Sequence, residues 1–151
     1  MFHIILHQPE IPQNTGSIGR LCVCTGCRLH LIHPLGFEVT DSQLRRAGLD
    51  YWKQLAPCHY ENWQDFLDRC PAKRLWLAST KGERVYTQPK YEHGDGLVIG
   101  RETNGLPDEV LLAHSDSLIK IPMPGHYNRS LNQSQATAIL LYEALRQTNA
   151  W

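Results

Sequence analysis

The sequence predicts an α/β domain, a mostly parallel sheet flanked by helices. Three observations carry this. Short apolar segments alternate with segments of helical period. Three loops marked by Gly or Asn each follow an expected strand and lead into a helix. The 151 residues contain no linker, internal repeat or low-complexity stretch, so they form a single domain, 1–151. At this length a folded chain buries roughly 68–70% of its unfolded surface, and one core needs no disulfide or metal staple.

Phe2–His7 reads as a short buried strand, ended by Gln8-Pro9 and the turn Glu10–Gln13. Asn14 stands where an N-cap belongs, and Ile18, Leu21, Cys22 and Thr25 recur at helical spacing. The expected helix runs from about Thr15 to Thr25, with Gly26 closing it as a C′ residue. Arg28–His33 is a second strand, and Asp41–Gly48 a short polar helix. Glu61–Cys70 is another helix, with Trp63, Phe66 and Leu67 on one face. Lys73–Ser79, Gly96–Ile99 and Leu118–Ile121 are strands, and Leu106–Ala113 a brief helix starting around Pro107. The last segment, Ser130–Gln147, lacks Gly and Pro and is largely apolar from Ala136 to Leu145. Apolarity nearly all round predicts a buried helix.

Lys+Arg and Asp+Glu each number 15, so the formal net charge is zero. A neutral chain holds nucleic acid only through a local patch, or through patches joined in an oligomer. The N-terminus lacks the basic start and cleavage site of a signal peptide, and no segment approaches the ~20 apolar residues of a membrane span. Five cysteines suggest reduced thiols in a cytoplasmic protein with no membrane partner. Cys22, Cys24 and Cys27 lack a second ligand pair at finger spacing, so no metal is expected.

The three loops are where a ligand belongs in an open α/β sheet. The first, Asn14–Arg20, puts Gly16 and Arg20 on one helix face, a bare helix start suited to a phosphate or sugar and equally suited to an ordinary cap with a surface Arg. The second, Ile99–Pro107, holds Glu102 between Gly100 and Gly105. Its backbone can approach a ligand closely, or it is a turn with solvated charges. The third, Ile121–Asn132, is rich in hydrogen-bonding side chains, with Ser130 as the expected N-cap of the last helix.

The ordered set N-x-G-x-x-x-R, G-x-E-x-x-G-L-P and I-P-M…R-S-L-N resembles the SPOUT methyltransferases. More narrowly, it is similar to the small bacterial enzymes that methylate the ribose 2′-hydroxyl of the tRNA wobble nucleotide, a cytidine or uridine derivative. The likeness runs along nearly the whole chain, through PEIPQNTGSIGRLC, LRRAGLDY, the STKG stretch, GRETNGLP and RSLNQS. It implies an α/β fold with a deep C-terminal trefoil knot, Ala78 to Gly105 forming the loop and Ile121 to Trp151 passing through it. It also implies S-adenosylmethionine as cofactor, tRNA as partner and a homodimer with both sites near the subunit interface.

Carried over by motif, cofactor binding falls on Ala78, Gly100, Ile121 and Ser130, with Ser79, Thr80, Met123 and Leu131 beside them. Catalysis falls on Arg20, Asn14, Glu102, Ser130 and Asn132. A guanidinium makes a poor resting base, so the preferred role of Arg20 is to clamp the neighbouring phosphate and stabilise the nascent alkoxide. A base role is confined to a desolvated, phosphate-bound state. Arg101 and Asn104 stand where Pro and Arg are expected, and Gln133 and Gln135 where Leu and Asn are expected. With no appended RNA-binding domain expected, Arg45, Arg46, Lys53, Lys81 and Arg84 are candidate phosphate contacts.

Three alternatives remain at this point. One is the same chemistry at another tRNA position or on ribosomal RNA, and another is a non-catalytic knotted RNA-binding protein. The third is a nucleotide-binding α/β module, which this chain's lack of G-x-G-x-x-G and of a P-loop disfavours.

Overall fold

A computed structural model describes all residues except 41, 43–45, 47–49, 128 and 150. Six parallel strands form one sheet: β1 (His3–His7), β2 (Arg28–Ile32), β3 (Cys58–Tyr60), β4 (Leu75–Ala78), β5 (Gly96–Ile99) and β6 (Leu118–Ile119). Their spatial order is β3-β2-β1-β5-β4-β6. Every residue of β1 and β5 is buried, as expected for central parallel strands covered on both faces. The register pairs Leu6 of β1 with Leu31 of β2 and with Ile99 of β5, which aligns the carboxyl ends that carry the loops.

Two helices cover one face, α1 (Pro12–Thr25) and α5 (Gln133–Gln147), over a core that includes Phe2, Ile4, Leu6, Ile18, Leu97, Leu140 and Leu141. Helices α3 (Trp63–Arg69) and α4 (Asp108–Ala113) cover the other, over Ile5, Ile32, Phe66, Leu77, Val98 and Val110. A single-turn helix, α2 (Trp52–Leu55), packs against α1, where a Cβ at Gly19 would come 2.9 Å from Leu55. Fully buried Asp95 fixes the chain just before β5. It pairs with Arg74 at 2.8 Å and accepts hydrogen bonds from Trp76 Nε1 and the Glu92 amide.

Four details differ from the sequence reading. Helix α1 begins at Pro12, not Thr15, and its N-cap position is Ile11, which offers no capping side chain. Proline fits the first helical position because its φ is preset and no N–H is needed there. Helix α5 begins at Gln133 and is capped by Asn132, whose Oδ1 accepts from the amides of Ser134 and Gln135; Ser130 does not cap it. That helix is not buried all round, since Ile139 and Tyr142 are exposed on its outer side. β3 and α2 are additional elements, too short to carry a periodic signal. Of the expected helix Asp41–Gly48, Ser42 and Arg46 are helical and the rest lies outside the described residues. Among the described residues no helix is long and apolar enough to cross a membrane.

Candidate active site

The carboxyl ends of β4, β5 and β6 open into a cavity of about 580 Å³, within the usual size of a small-molecule site. Ala78, Ser79 and Thr80 line it from the end of β4, and Gly100 and Glu102 from the loop after β5. Ile121, Met123, Ser130, Leu131 and Asn132 line it from the segment before α5, and Asn14 reaches it from α1. All three sequence loops therefore converge on one cavity. Arg20 does not line it. It lies exposed on α1 with its guanidinium 5.7 Å from the centre of the Tyr51 ring, and the Tyr51 hydroxyl donates to the Gly16 carbonyl.

The helix start that lacks its own cap is capped from across the molecule. The Glu102 carboxylate accepts hydrogen bonds from the amides of Glu10 (2.8 Å) and Ile11 (3.1 Å), with a longer contact from Asn14 Nδ2 at 3.4 Å. An anion there also meets the positive end of α1. The exchange is reciprocal, because the Glu10 carboxylate accepts from the Thr103 amide and hydroxyl. Those donors hold the Glu10 carboxyl below its ordinary pKa. Asn14 Oδ1 in turn accepts from Asn132 Nδ2 at 3.0 Å, and Gln133 Nε2 donates to the Gly100 carbonyl at 2.8 Å. A hydrogen-bonded path thus joins α1, the β5 loop and the start of α5. Asn14 is the link between Glu102 on one side and Asn132 on the other, and Glu102 braces the site by holding the start of α1.

Gly100 is required by the chain itself. A Cβ built on it would lie 2.4 Å from the carbonyl carbon of Gly105 and 2.5 Å from the Leu106 nitrogen, inside the same loop. Beyond the loop, burial and the neighbouring Arg101 push the His7 pKa down to about 4, which leaves its ring neutral at pH 7.

Sequence reasoning missed Glu10, Thr103 and the brace made by Gln133; none carries a local signal, because each acts on a partner far along the chain. Of the expected phosphate contacts, Arg46 and Lys53 are exposed, while Arg45 lies outside the described residues. Lys81 is paired with Asp108 at 2.8 Å, and Arg84 donates to the Asp116 carbonyl at 2.9 Å.

Comparison with known proteins gives a consistent picture. The sequence model of the SpoU rRNA Methylase family matches residues 1–142. A protein of Saccharophagus degradans named tRNA (cytidine(34)-2′-O)-methyltransferase is 49% identical over 148 residues, covering 97% of this chain and 96% of that one. A solved structure described as giving structural insights into the 2-OH methylation of C/U34 on tRNA superposes with a TM-score of 0.91 at 41% identity, over 100% of this chain and 98% of that one. The SpoU methyltransferase AviRb from Streptomyces viridochromogenes, in complex with the cofactor AdoMet, matches with a TM-score of 0.82 at 25% identity, over 96% of this chain and 57% of that one.

Proposed function

The chain belongs to the SpoU rRNA Methylase family, and we propose that it methylates the ribose 2′-hydroxyl of the wobble nucleotide, position 34, of tRNA in the cytoplasm, using S-adenosylmethionine. It is a methyltransferase, as its nearly full-length Saccharophagus relative is named, and that relative's substrate is the one we assign. The observation that carries the reading is the meeting of three distant loops at one cavity, braced through Glu102, Asn14 and Asn132.

The cavity fits the cofactor by volume and by its polar lining. Two buried side-chain atoms of lining residues, Arg101 Nε and Gln133 Oε1, have no partner among the described residues. Ala78, Gly100, Ile121 and Ser130 would hold the cofactor, with Ser79, Thr80, Met123 and Leu131 beside them. When bound, S-adenosylmethionine supplies an electrophilic methyl group to the ribose oxygen. Arg20 clamps the adjoining phosphate and stabilises negative charge as it grows on that oxygen. Glu102, already accepting from the amides that lead into α1, keeps Asn14 and through it Asn132 in place at the cavity, so positioning supplies much of the rate.

We also infer the deep trefoil knot. In its support, the segment between β4 and β5 grips both later elements: the Tyr86 amide donates to the Lys120 carbonyl at 2.9 Å, and Gln147 of α5 accepts from the Tyr91 amide at 3.0 Å. A homodimer completes the reading. Val23 on α1 and Ile139 and Tyr142 on α5 leave apolar area exposed on two neighbouring helices, which suits contact with a second copy. Sedimentation equilibrium at micromolar concentration should give twice 17.3 kDa; a 17.3 kDa species would overturn the dimer.

The test of function is methyl transfer from labelled S-adenosylmethionine to total tRNA, followed by mapping of the modified nucleoside. Label on a 2′-O-methylated nucleotide at position 34 supports the assignment. Label at another tRNA position, or on ribosomal RNA only, replaces the substrate.

A further inference from the structure

Among the described residues, buried side-chain polar atoms without a hydrogen-bond partner are confined to His7 Nδ1, Thr15 Oγ1, Arg101 Nε and Gln133 Oε1. Arg101 and Gln133 both line the cavity. Gln133 is also tied to the backbone beside Arg101, because its Nε2 donates to the carbonyl of Gly100, the residue before Arg101. A carbonyl only accepts, so this bond fixes which end of the Gln133 amide is free, and the free end is an acceptor. Gln133 is 5% exposed, too buried for bulk water to compensate its oxygen. Arg101 is a donor with a fixed positive charge whose field reaches the Glu10 carboxylate and the His7 ring, and among the described residues no carboxylate comes within 4.0 Å to pair with it.

A ligand group that satisfies both must present a hydrogen-bond donor beside an anion. A phosphodiester brings the anion without the donor, and an adenine edge brings donor and acceptor without the charge. An α-amino acid brings both, as an ammonium one carbon away from a carboxylate. S-adenosylmethionine ends in that group. Arg and Gln stand at positions where the resemblance leads one to expect Pro and Leu, neither of which could make these contacts.

We propose that Arg101 and Gln133 form the subsite for the amino-acid head of S-adenosylmethionine. The guanidinium takes the carboxylate, and Gln133 Oε1 accepts a hydrogen bond from the ammonium. The proposal rests on the reading of the cavity as the cofactor site.

Calorimetry with two ligands tests it: S-adenosylhomocysteine, which has the head, and 5′-methylthioadenosine, which lacks it. The wild-type protein should bind both. Arg101→Ala and Gln133→Leu should each weaken S-adenosylhomocysteine about ten- to a hundredfold, the usual worth of a hydrogen bond to a charged group. Affinity for 5′-methylthioadenosine should stay within about twofold, which also shows that the cavity is folded. If Gln133→Leu loosens the Gly100 loop and loses both ligands, Arg101→Ala carries the test alone, since among the described residues no hydrogen bond or ion pair of its side chain holds that loop. Equal loss of both ligands in Arg101→Ala, or loss of neither, overturns the subsite. So does weaker tRNA binding by Arg101→Ala with unchanged S-adenosylhomocysteine affinity, which would assign Arg101 to a phosphate. A wild-type protein that binds neither ligand overturns instead the reading of the cavity itself.

Discussion

Replacing Arg20 with Ala is expected to leave S-adenosylmethionine affinity unchanged and to lower methyl transfer about 10²–10³-fold, the usual cost of one preorganised transition-state contact. The cofactor arm of this expectation follows from position: Arg20 lies on the exposed side of α1 and does not line the cavity. Loss of the side chain should also cost little stability, because it contacts Tyr51, through a hydrogen bond to the hydroxyl and over the ring at 5.7 Å, the latter worth roughly 0.5–1 kcal/mol at an exposed site. Arg20→Lys should rescue little, since an ammonium is a point charge and a guanidinium is a planar fork matched to phosphate. Single-turnover kinetics at saturating tRNA separates catalysis from binding. A near-normal rate for Arg20→Ala under saturation would leave Arg20 as an RNA-binding residue only.

Gly100→Val should abolish cofactor binding by a route that the structure makes different from simple obstruction. The added Cβ falls 2.4 Å from backbone of Gly105, so the loop from β5 to α4 must move before any ligand arrives. Overpacking against backbone costs about 1–3 kcal/mol or more, which for a domain of this size lowers Tm by roughly 2–12 °C. Gly105→Ala makes the control. Its Cβ would meet nothing within 4 Å, and its φ of +64° costs a side chain only about 1–2 kcal/mol. Thermal unfolding with and without S-adenosylmethionine reads both effects. Normal Tm and normal binding in Gly100→Val would show that the loop does not have the packing described above.

The elements legible in the sequence were those with a strong local signal. The apolar runs of β1, β2 and β5 stand out because central parallel strands are buried on both faces. The glycine at the end of α1 adopts the left-handed conformation its position predicted, with a φ of 68° at Gly26. The loops were visible as clusters of Gly, Asn and Ser at strand ends, and the motif residues could be carried over one by one. Trp52–Leu55 and Cys58–Tyr60 barely exceed one helical or strand period, too little for a repeat to show, and left no trace.

What the sequence determined by itself was the fold class, the order of its main elements and the three loops that carry the candidate site residues. The tertiary structure decided how they act on one another. A cap for α1 comes from Glu102, distant along the chain, and no local pattern announces a partner that far away. The same holds for the bond from Gln133 to Gly100, and for the outward apolar face of α5 that its composition suggested was buried. Local sequence sets backbone preference within a few residues. Burial and hydrogen-bond satisfaction are properties of the packed whole, and a side chain acquires them only when the sheet brings its partners to the same edge.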